Sequence, residues 1–178
     1  MNNKKCLLVI DVQNGMFNLP LEIYNGKIIL EKIIRLIEEA RLKNGLIVFI
    51  QYCGNVNSPF EEGSEGWKIH SKIKLRKGDI ILKKRHADSF QDTSLNEILK
   101  KNIITDLVIC GFVTEGCVDT TIRRAYSLGY GVEVVSDCHS TTDSNILSAE
   151  KIVNHHNEVF KIFSEVKKSV EIENQSLT

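Results

Sequence analysis

A carboxylate, a basic cluster and a cysteine each lie close to the end of a short apolar run. Asp11 follows LLVI and precedes VQNG, so its carboxylate is expected at the mouth of a buried strand. Partial desolvation there raises the pKa of a carboxyl group unless cations or donors compensate, and a raised pKa suits a general base. Taken alone, Asp11 could equally be a helix cap or a loop anchor.

A basic cluster follows another apolar run, in ILKKRHADSF. Lys83, Lys84 and Arg85 are consecutive, and a charge run of this kind is most often a solvated face. A lysine turned toward a site would instead stabilise a negative charge there. Spacing alone does not decide which of the three side chains points inward.

Two of the five cysteines lie in VICGFVTEGCVDTTIRRAYSLGY. Cys110 ends an apolar run and is interpreted as a small core residue. Cys117 is expected in the first turn of a helix capped by Thr114, where free N–H groups and the helix dipole stabilise a thiolate. Such surroundings lower the pKa of a cysteine, and the same N–H groups can stabilise an oxyanion. From these residues alone, an inert buried cysteine is the commoner alternative.

The five histidines form no HExxH motif and no i, i+4 pair. His139 follows the fifth predicted strand, so it is the best candidate for a histidine partner of a cysteine. A structural role or a contact with substrate is favoured over that pairing.

Short β-branched runs alternate with longer segments of helical periodicity. Continuous apolar runs of this length are typical of strands buried on both faces. They cover residues 7–10, 46–50, 80–82, 107–109 and 132–135, and 160–163 is a sixth candidate. Helices are predicted over 28–44, 93–101, 115–128 and 145–160. The alternation predicts an α/β fold in one domain over 1–178, a Rossmann-like three-layer α/β/α sandwich with a parallel sheet of about six strands.

The overall composition argues against several kinds of partner. Lys+Arg and Asp+Glu are both 23, and the net charge of +0 gives no general attraction to nucleic acid or anionic membranes. No apolar stretch approaches the ~20 residues that span a bilayer. The first apolar run ends at Asp11 without an export signal, so a cytoplasmic location is expected. An odd number of cysteines without CxxC spacing predicts neither a disulfide framework nor a structural zinc site.

Three separate segments resemble the isochorismatase-like cysteine hydrolases. The first is an apolar strand ending in D-x-Q, here LLVIDVQNGMF. The second, K-x-x-x-[SD]-[AS]-F, is present as KRHADSF and selects Lys84. The third and most specific, G-x-x-T-x-x-C-V-x-x-T-x-R-x-A-x-x-x-G-Y, is present as GFVTEGCVDTTIRRAYSLGY. SPFEEGSEGWKIH and SDCHSTTDSNILSAEKIVNHHN are similar to the branch that includes streptothricin-hydrolase-like proteins.

The resemblance implies a catalytic triad of Asp11, Lys84 and Cys117. It also implies a cis peptide bond between Phe112 and Val113, and an oxyanion hole made by the N–H groups of Val113 and Cys117. The implied reaction is hydrolysis of an amide or lactam C–N bond of a small molecule, through a thioester on Cys117 and without a cofactor. A homo-oligomer, either dimer or tetramer, is expected on the same basis.

Departures from the family pattern bear on the substrate. QYCGNVN lacks the histidines of the nicotinamidase metal site, so neither a metal nor nicotinamide is predicted. Tyr52 stands where the family often has a histidine. The substrate pocket is predicted to involve the loop 54–69, with walls formed by Phe17, Tyr52, Trp67, Phe112 and His139; each aromatic is equally an ordinary core residue.

Three other interpretations remain open. The main one is an isochorismatase-type hydrolase of a vinyl ether, although a retained cysteine favours amide chemistry. A second is a non-catalytic member that binds a small molecule. A third is a redox sensor, which would need a resolving cysteine near Cys117, and Cys110 lies back on the preceding strand.

Overall fold

The computed structural model describes residues 4–18 and 22–173. Its centre is a six-stranded sheet in which all neighbouring strands are parallel. The strands are β1 (Lys5–Ile10), β2 (Leu46–Tyr52), β3 (Ile80–Lys84), β4 (Asp106–Phe112), β5 (Gly131–Ser140) and β6 (Glu165–Lys167). Their order across the sheet is β3-β2-β1-β4-β5-β6. The predicted fold class and sheet type are confirmed.

The remaining described elements are helical. In chain order they are a 3-10 turn (Asn14–Phe17), α1 (Gly26–Leu42), α2 (Leu95–Lys101), a π-helical turn (Thr114–Val118), α3 (Asp119–Ser127), α4 (Ala149–Phe160) and α5 (Ser169–Glu173). Within the described ranges, no helix combines the length and apolar character needed to cross a bilayer.

The core lies on both faces of the sheet. Successive side chains of β1 point to opposite faces, as the geometry of a strand requires. Leu7 and Val9 join the cluster under α1 and α5, whereas Leu8 and Ile10 join the cluster under α2, α3 and α4. Burial on both faces explains why β1 appears in the sequence as an uninterrupted apolar run.

The prediction of a strand at 160–163 is wrong. Phe160 ends α4, and the N–H of Phe163 donates to the Phe160 carbonyl at 2.9 Å, which closes a turn. Phe160 and Phe163 are three residues apart and both join the cluster under α4, a spacing that suits a helix end better than the two-residue period of a strand. The sixth strand lies just beyond, at Glu165–Lys167.

Candidate active site

The carboxyl ends of three strands bring Asp11, Lys84 and Cys117 together. Lys84 Nζ lies 2.9 Å from Asp11 Oδ2, and both side chains are completely buried. The half-buried thiol of Cys117 interacts with both charged groups. Asp11 follows β1, Cys117 follows β4 beside it, and Lys84 reaches across β2 from β3. The converging groups are a carboxylate, an ammonium and a thiol, which can together move a proton and form a covalent bond.

The alternation of β3 decides which lysine enters the site. Lys84 is buried, whereas Lys83 is about half exposed and pairs with Glu62 on the surface. The backbone fixes Lys84 further, because its carbonyl accepts a hydrogen bond of 2.8 Å from the N–H of Cys53. Consecutive residues of a strand point to opposite sides, so one lysine serves the site and the other faces solvent.

The backbone around Asp11 is unusual. Asp11 has a φ of 52°, a left-handed conformation that is uncommon outside glycine, and its N–H donates to the Ile50 carbonyl at 3.0 Å. Gly111 of β4 pairs with Ile10 and has a φ of 129°. A Cβ at Gly111 would lie 2.0 Å from the Ile10 carbonyl oxygen, so only glycine allows this approach beside the carboxylate.

A π-helical turn carries Cys117. It spans Thr114–Val118, and the Val113 carbonyl accepts hydrogen bonds from the N–H groups of Gly116 and Val118, each of 3.2 Å. The peptide bond between Phe112 and Val113 is cis. The prediction that Thr114 caps a helix is wrong, because Val113 occupies the capping position and the Thr114 hydroxyl is bonded to His139 instead. Single π-helical turns are frequent at functional sites.

The Asp11 carboxylate is positioned to accept a proton. Burial raises its pKa above the ordinary value, although the charge of Lys84 opposes this. Burial alone lowers the pKa of Lys84, but its interactions with the Asp11 carboxylate and with Cys117 outweigh burial and hold that pKa above its usual value. The directed hydrogen bond of Lys84 goes to the Ala87 carbonyl, at 3.1 Å. Among the described residues, neither carboxylate oxygen of Asp11 receives a well-directed hydrogen bond.

The Cys117 thiol does not have the lowered pKa expected from the sequence. Burial, and then the charge of Asp11, raise its pKa to about 12, and Lys84 offsets only part of this. The side chain is therefore a neutral thiol at rest. A helix end and a lysine lower the pKa of a cysteine when water still reaches the sulfur, and here desolvation is the larger effect.

Gln13, the last residue of the D-x-Q motif, holds the loop 54–69 against the site. Its amide Nε2 donates to the carbonyls of Tyr52 and Trp67, at 2.9 and 2.7 Å, and its Oε1 accepts from the Tyr52 N–H at 3.0 Å. The Trp67 carbonyl also accepts a bond of 2.9 Å from Gln51. The D-x-Q motif assigns no role to Gln13 by itself, and its only signal in the sequence is a glutamine two residues after Asp11.

Gln13→Leu is expected to destabilise the protein and loosen Trp67. The change leaves the N–H and the carbonyl of Tyr52 without their side-chain partner. Each unsatisfied group is expected to lower the free energy of unfolding by roughly 1–3 kcal/mol. Gln51→Leu is the matched control, because Gln13 still reaches the Trp67 carbonyl. Trp67 is the single tryptophan, so quenching of its fluorescence by acrylamide measures the effect directly. Equal quenching in the two variants would contradict the role assigned to Gln13.

His139 lies beneath the site, behind the turn that carries Cys117. Its exposed fraction is 0%, and both ring nitrogens are engaged. Nδ1 lies 2.9 Å from the Thr114 hydroxyl, and Nε2 lies 3.0 Å from Asn157 Oδ1. Both ring nitrogens are therefore occupied by protein groups, and neither is offered to a substrate at the Cys117 site. Burial lowers the pKa of His139 to about 4, which keeps the ring neutral.

His139 is expected to make the fold sensitive to acid. An unfolded histidine titrates near 6.5, so the stability from its lowered pKa is complete above pH 6.5 and is lost as pH falls toward 4. The loss amounts to about 3 kcal/mol at full protonation. Urea unfolding at about pH 7 and about pH 4.5 measures it, and His139→Asn should lose less on acidification than the wild type. An equal loss of stability on acidification in the wild type and in His139→Asn would contradict His139 as the source of the acid sensitivity.

The predicted aromatic walls separate into two groups. Phe112 is fully buried, with its ring 5.6 Å from that of Phe17, so it supports the site from the core and offers no surface to substrate. Phe17, Tyr52 and Trp67 are half-buried and remain available as walls. The indole N–H of Trp67 donates to Cys53 Sγ at 3.2 Å, which ties the loop 54–69 to the end of β2.

A cavity of about 430 Å³ borders Lys84 on the β3 side of the sheet. None of the predicted aromatic walls lines this cavity. Its lining is mainly charged and consists of Cys53, Glu62, Lys83, Lys84, Arg85, His86 and Asp92. Over residues 4–18 and 22–173, no three His, Cys, Asp or Glu side chains converge as metal ligands. The expected absence of a metal stays a prediction.

Comparison with known proteins identifies the class. A family model of the isochorismatase domain matches residues 5–165. The match spans β1 to the start of β6 and includes Asp11, Lys84 and Cys117. The chain belongs to the isochorismatase family of hydrolases.

Individual relatives agree with this assignment. The uncharacterized isochorismatase family protein YddQ of Bacillus subtilis is 31% identical, over 83% of this chain and 82% of the relative. A streptothricin hydrolase of Streptomyces noursei is 30% identical over 78% of this chain, and the match spans 50% of that enzyme. A crystal structure of an isochorismatase family protein has a TM-score of 0.85 and 32% identity, covering 91% of this chain and 96% of the other.

Proposed function

We propose that the protein hydrolyses an amide or lactam C–N bond of a small molecule by covalent catalysis on Cys117. The observation that carries the proposal is a buried Asp11–Lys84 pair, 2.9 Å apart, close enough to the half-buried Cys117 thiol for both charges to act on it. Burying two charges is unfavourable unless they are paired, and the pair adjoins a nucleophilic side chain. A purely structural ion pair would not need the neighbouring thiol.

The first half of the reaction forms the thioester. Cys117 Sγ attacks the carbonyl carbon, its proton passes to Asp11, and the carbonyl electron pair moves onto oxygen. The raised pKa of Asp11 narrows its difference from the pKa of the thiol, which favours this transfer. Lys84 stabilises the anionic charge shared by the carboxylate and sulfur. The N–H groups of Val113 and Cys117 are proposed to hold the oxyanion, which collapses as the leaving amine takes the proton from Asp11.

The second half releases the acid. Water attacks the thioester carbon while Asp11 accepts a proton from it. The tetrahedral intermediate then expels the Cys117 sulfur, which recovers the proton from Asp11, and the carboxylic acid leaves. Asp11 therefore acts as base and acid in both halves, and no cofactor is needed to balance the steps.

A relative named as an amidohydrolase supports a C–N substrate: the ureidoacrylate amidohydrolase RutB of Variovorax paradoxus is 24% identical over 74% of this chain and 66% of the relative. The streptothricin hydrolase named above has 30% identity to this chain, although the match covers 50% of its length. We therefore propose a small amide or lactam as the substrate, with Phe17, Tyr52 and Trp67 as pocket walls. The cytoplasmic location and the homo-oligomeric assembly expected from the sequence stay predictions.

A substrate panel tests the reaction class. Small amides, lactams and ureido compounds are assayed beside isochorismate with the wild-type protein and with Cys117→Ala. Hydrolysis of an amide or lactam that disappears in the variant is expected. Turnover of isochorismate alone, retained by Cys117→Ala, would instead assign the vinyl-ether reaction, and no turnover of any compound would favour a binding role.

A further inference from the structure

We propose that Asn157, His139 and Thr114 form a hydrogen-bonded positioning relay that fixes the turn carrying Cys117. The relay rests on the proposed function, because it orients the nucleophile of that reaction. None of its three members touches the reacting atoms, so each is a positioning residue. It connects α4 and β5 to the π-helical turn through groups that are buried or half-buried.

The direction of each hydrogen bond in the relay follows from Asn157, the member farthest from Cys117 along the relay. Asn157 Nδ2 donates to the Ser136 carbonyl at 3.2 Å, which leaves Asn157 Oδ1 facing His139 Nε2 at 3.0 Å. An amide oxygen can only accept, so Nε2 carries the proton of the ring. His139 Nδ1 is then the unprotonated nitrogen.

This tautomer of His139 determines the direction of the hydrogen bond between His139 and Thr114. An unprotonated Nδ1 can only accept, so the Thr114 hydroxyl, 2.9 Å away, must donate. Thr114 and His139 both have an exposed fraction of 0%, so the bond between them is shielded from solvent. A hydrogen bond in such surroundings is stronger and better directed than one at the surface.

The location of Thr114 gives the relay its effect. Thr114 is the first residue of the turn, directly after Val113 and three residues before Cys117. His139 is itself paired with Gly111 of β4, the strand that leads into the turn. Holding the Thr114 side chain therefore holds the start of the segment that presents both proposed oxyanion donors and the thiol.

Packing alone gives a different expectation. His139 also lies edge-on to Phe160, with ring centroids 5.5 Å apart, so a simple core role would make activity follow the stability of each variant. The relay instead makes activity follow the presence of the hydroxyl. Two variants of Thr114 separate these cases, because valine keeps the branched shape without the hydroxyl, whereas serine keeps the hydroxyl and loses the methyl group.

Kinetics of the two variants give the first test. Thr114→Val is expected to lower kcat by about 10²-fold with a much smaller change in KM, since displacement of reacting groups by about 1 Å has effects of this size. Thr114→Ser is expected to keep most of kcat, although it leaves a methyl-sized void. Thr114→Val is also expected to lose stability, because it leaves the buried Nδ1 of His139 without a donor. A loss of kcat in Thr114→Ser as large as that in Thr114→Val would overturn the relay.

NMR of ¹⁵N-labelled His139 gives a test that needs no substrate. The wild type and Thr114→Ser should show the neutral Nε2–H tautomer, with Nδ1 accepting a hydrogen bond, and Thr114→Val should change the Nδ1 resonance. A wild-type ring protonated at Nδ1, or an Nδ1 resonance that is the same in Thr114→Val as in the wild type, would overturn the relay. This result does not depend on turnover. The substrate panel can therefore reject amide hydrolysis while the NMR spectra still support the relay, and the NMR spectra can reject the relay while the panel supports amide hydrolysis.

Discussion

Cys117→Ser is expected to lower kcat for amide hydrolysis by on the order of 10⁴-fold or more. A serine hydroxyl is far less acidic than a thiol, so Asp11 cannot remove its proton during attack, and no thioester can form. The pair formed by Asp11 and Lys84 remains intact, since serine adds no charge. The thermal unfolding temperature of the variant should therefore stay close to that of the wild type.

Cys110→Ala is the matched control for a cysteine change. Cys110 is fully buried on β4, and burial raises the pKa of its thiol to about 12, with no charged partner beside it within residues 4–18 and 22–173. We expect this control to unfold at a lower temperature because it creates a small void, while its kcat stays near the wild-type value. Wild-type turnover by Cys117→Ser, or equal losses of kcat in Cys117→Ser and Cys110→Ala, would contradict the assigned nucleophile.

Lys84→Met is expected to affect stability and activity together. The change leaves the fully buried Asp11 carboxylate without its cation, and breaking a buried pair on one side typically destabilises by about 3–5 kcal/mol. It also removes the charge that stabilises the anion formed during attack. Urea unfolding and steady-state kinetics measure the two effects.

Two further variants separate these effects. Lys83→Met removes the neighbouring, half-exposed lysine, whose surface pair with Glu62 should contribute little, so stability should hardly change. Asp11→Asn combined with Lys84→Met removes both charges, and we expect it to recover most of the lost stability but none of the activity. A double variant no more stable than Lys84→Met, or a large loss of stability in Lys83→Met, would contradict the buried pair.

The sheet was predictable because its central strands are buried on both faces. β1 and β4 therefore appear as continuous apolar runs, and their polar continuations mark the carboxyl end of the sheet. Lys84 could not be separated from Lys83 by composition, since both occupy one basic run. The KRHADSF motif selected Lys84, and the strand alternation in the structure agrees with that choice.

The environment of each site residue was less predictable, because it depends on distant segments. The bonds of Gln13 go to backbone atoms of Tyr52 and Trp67, which leave no signature in the sequence. His139 was expected to meet substrate, yet Asn157 on α4 and Thr114 occupy both ring nitrogens. The direction of the Cys117 pKa shift was also missed, because it depends on how far the fold excludes water from the sulfur.

Partitioning of the acyl group between water and hydroxylamine tests the thioester most directly. The wild-type protein is given an amide found by the panel and, separately, an ester with the same acyl group. If both pass through one thioester on Cys117, the ratio of hydroxamate to acid is the same for the two substrates. A ratio that depends on the leaving group, or an amide hydrolysed without any hydroxamate, would contradict covalent catalysis on Cys117.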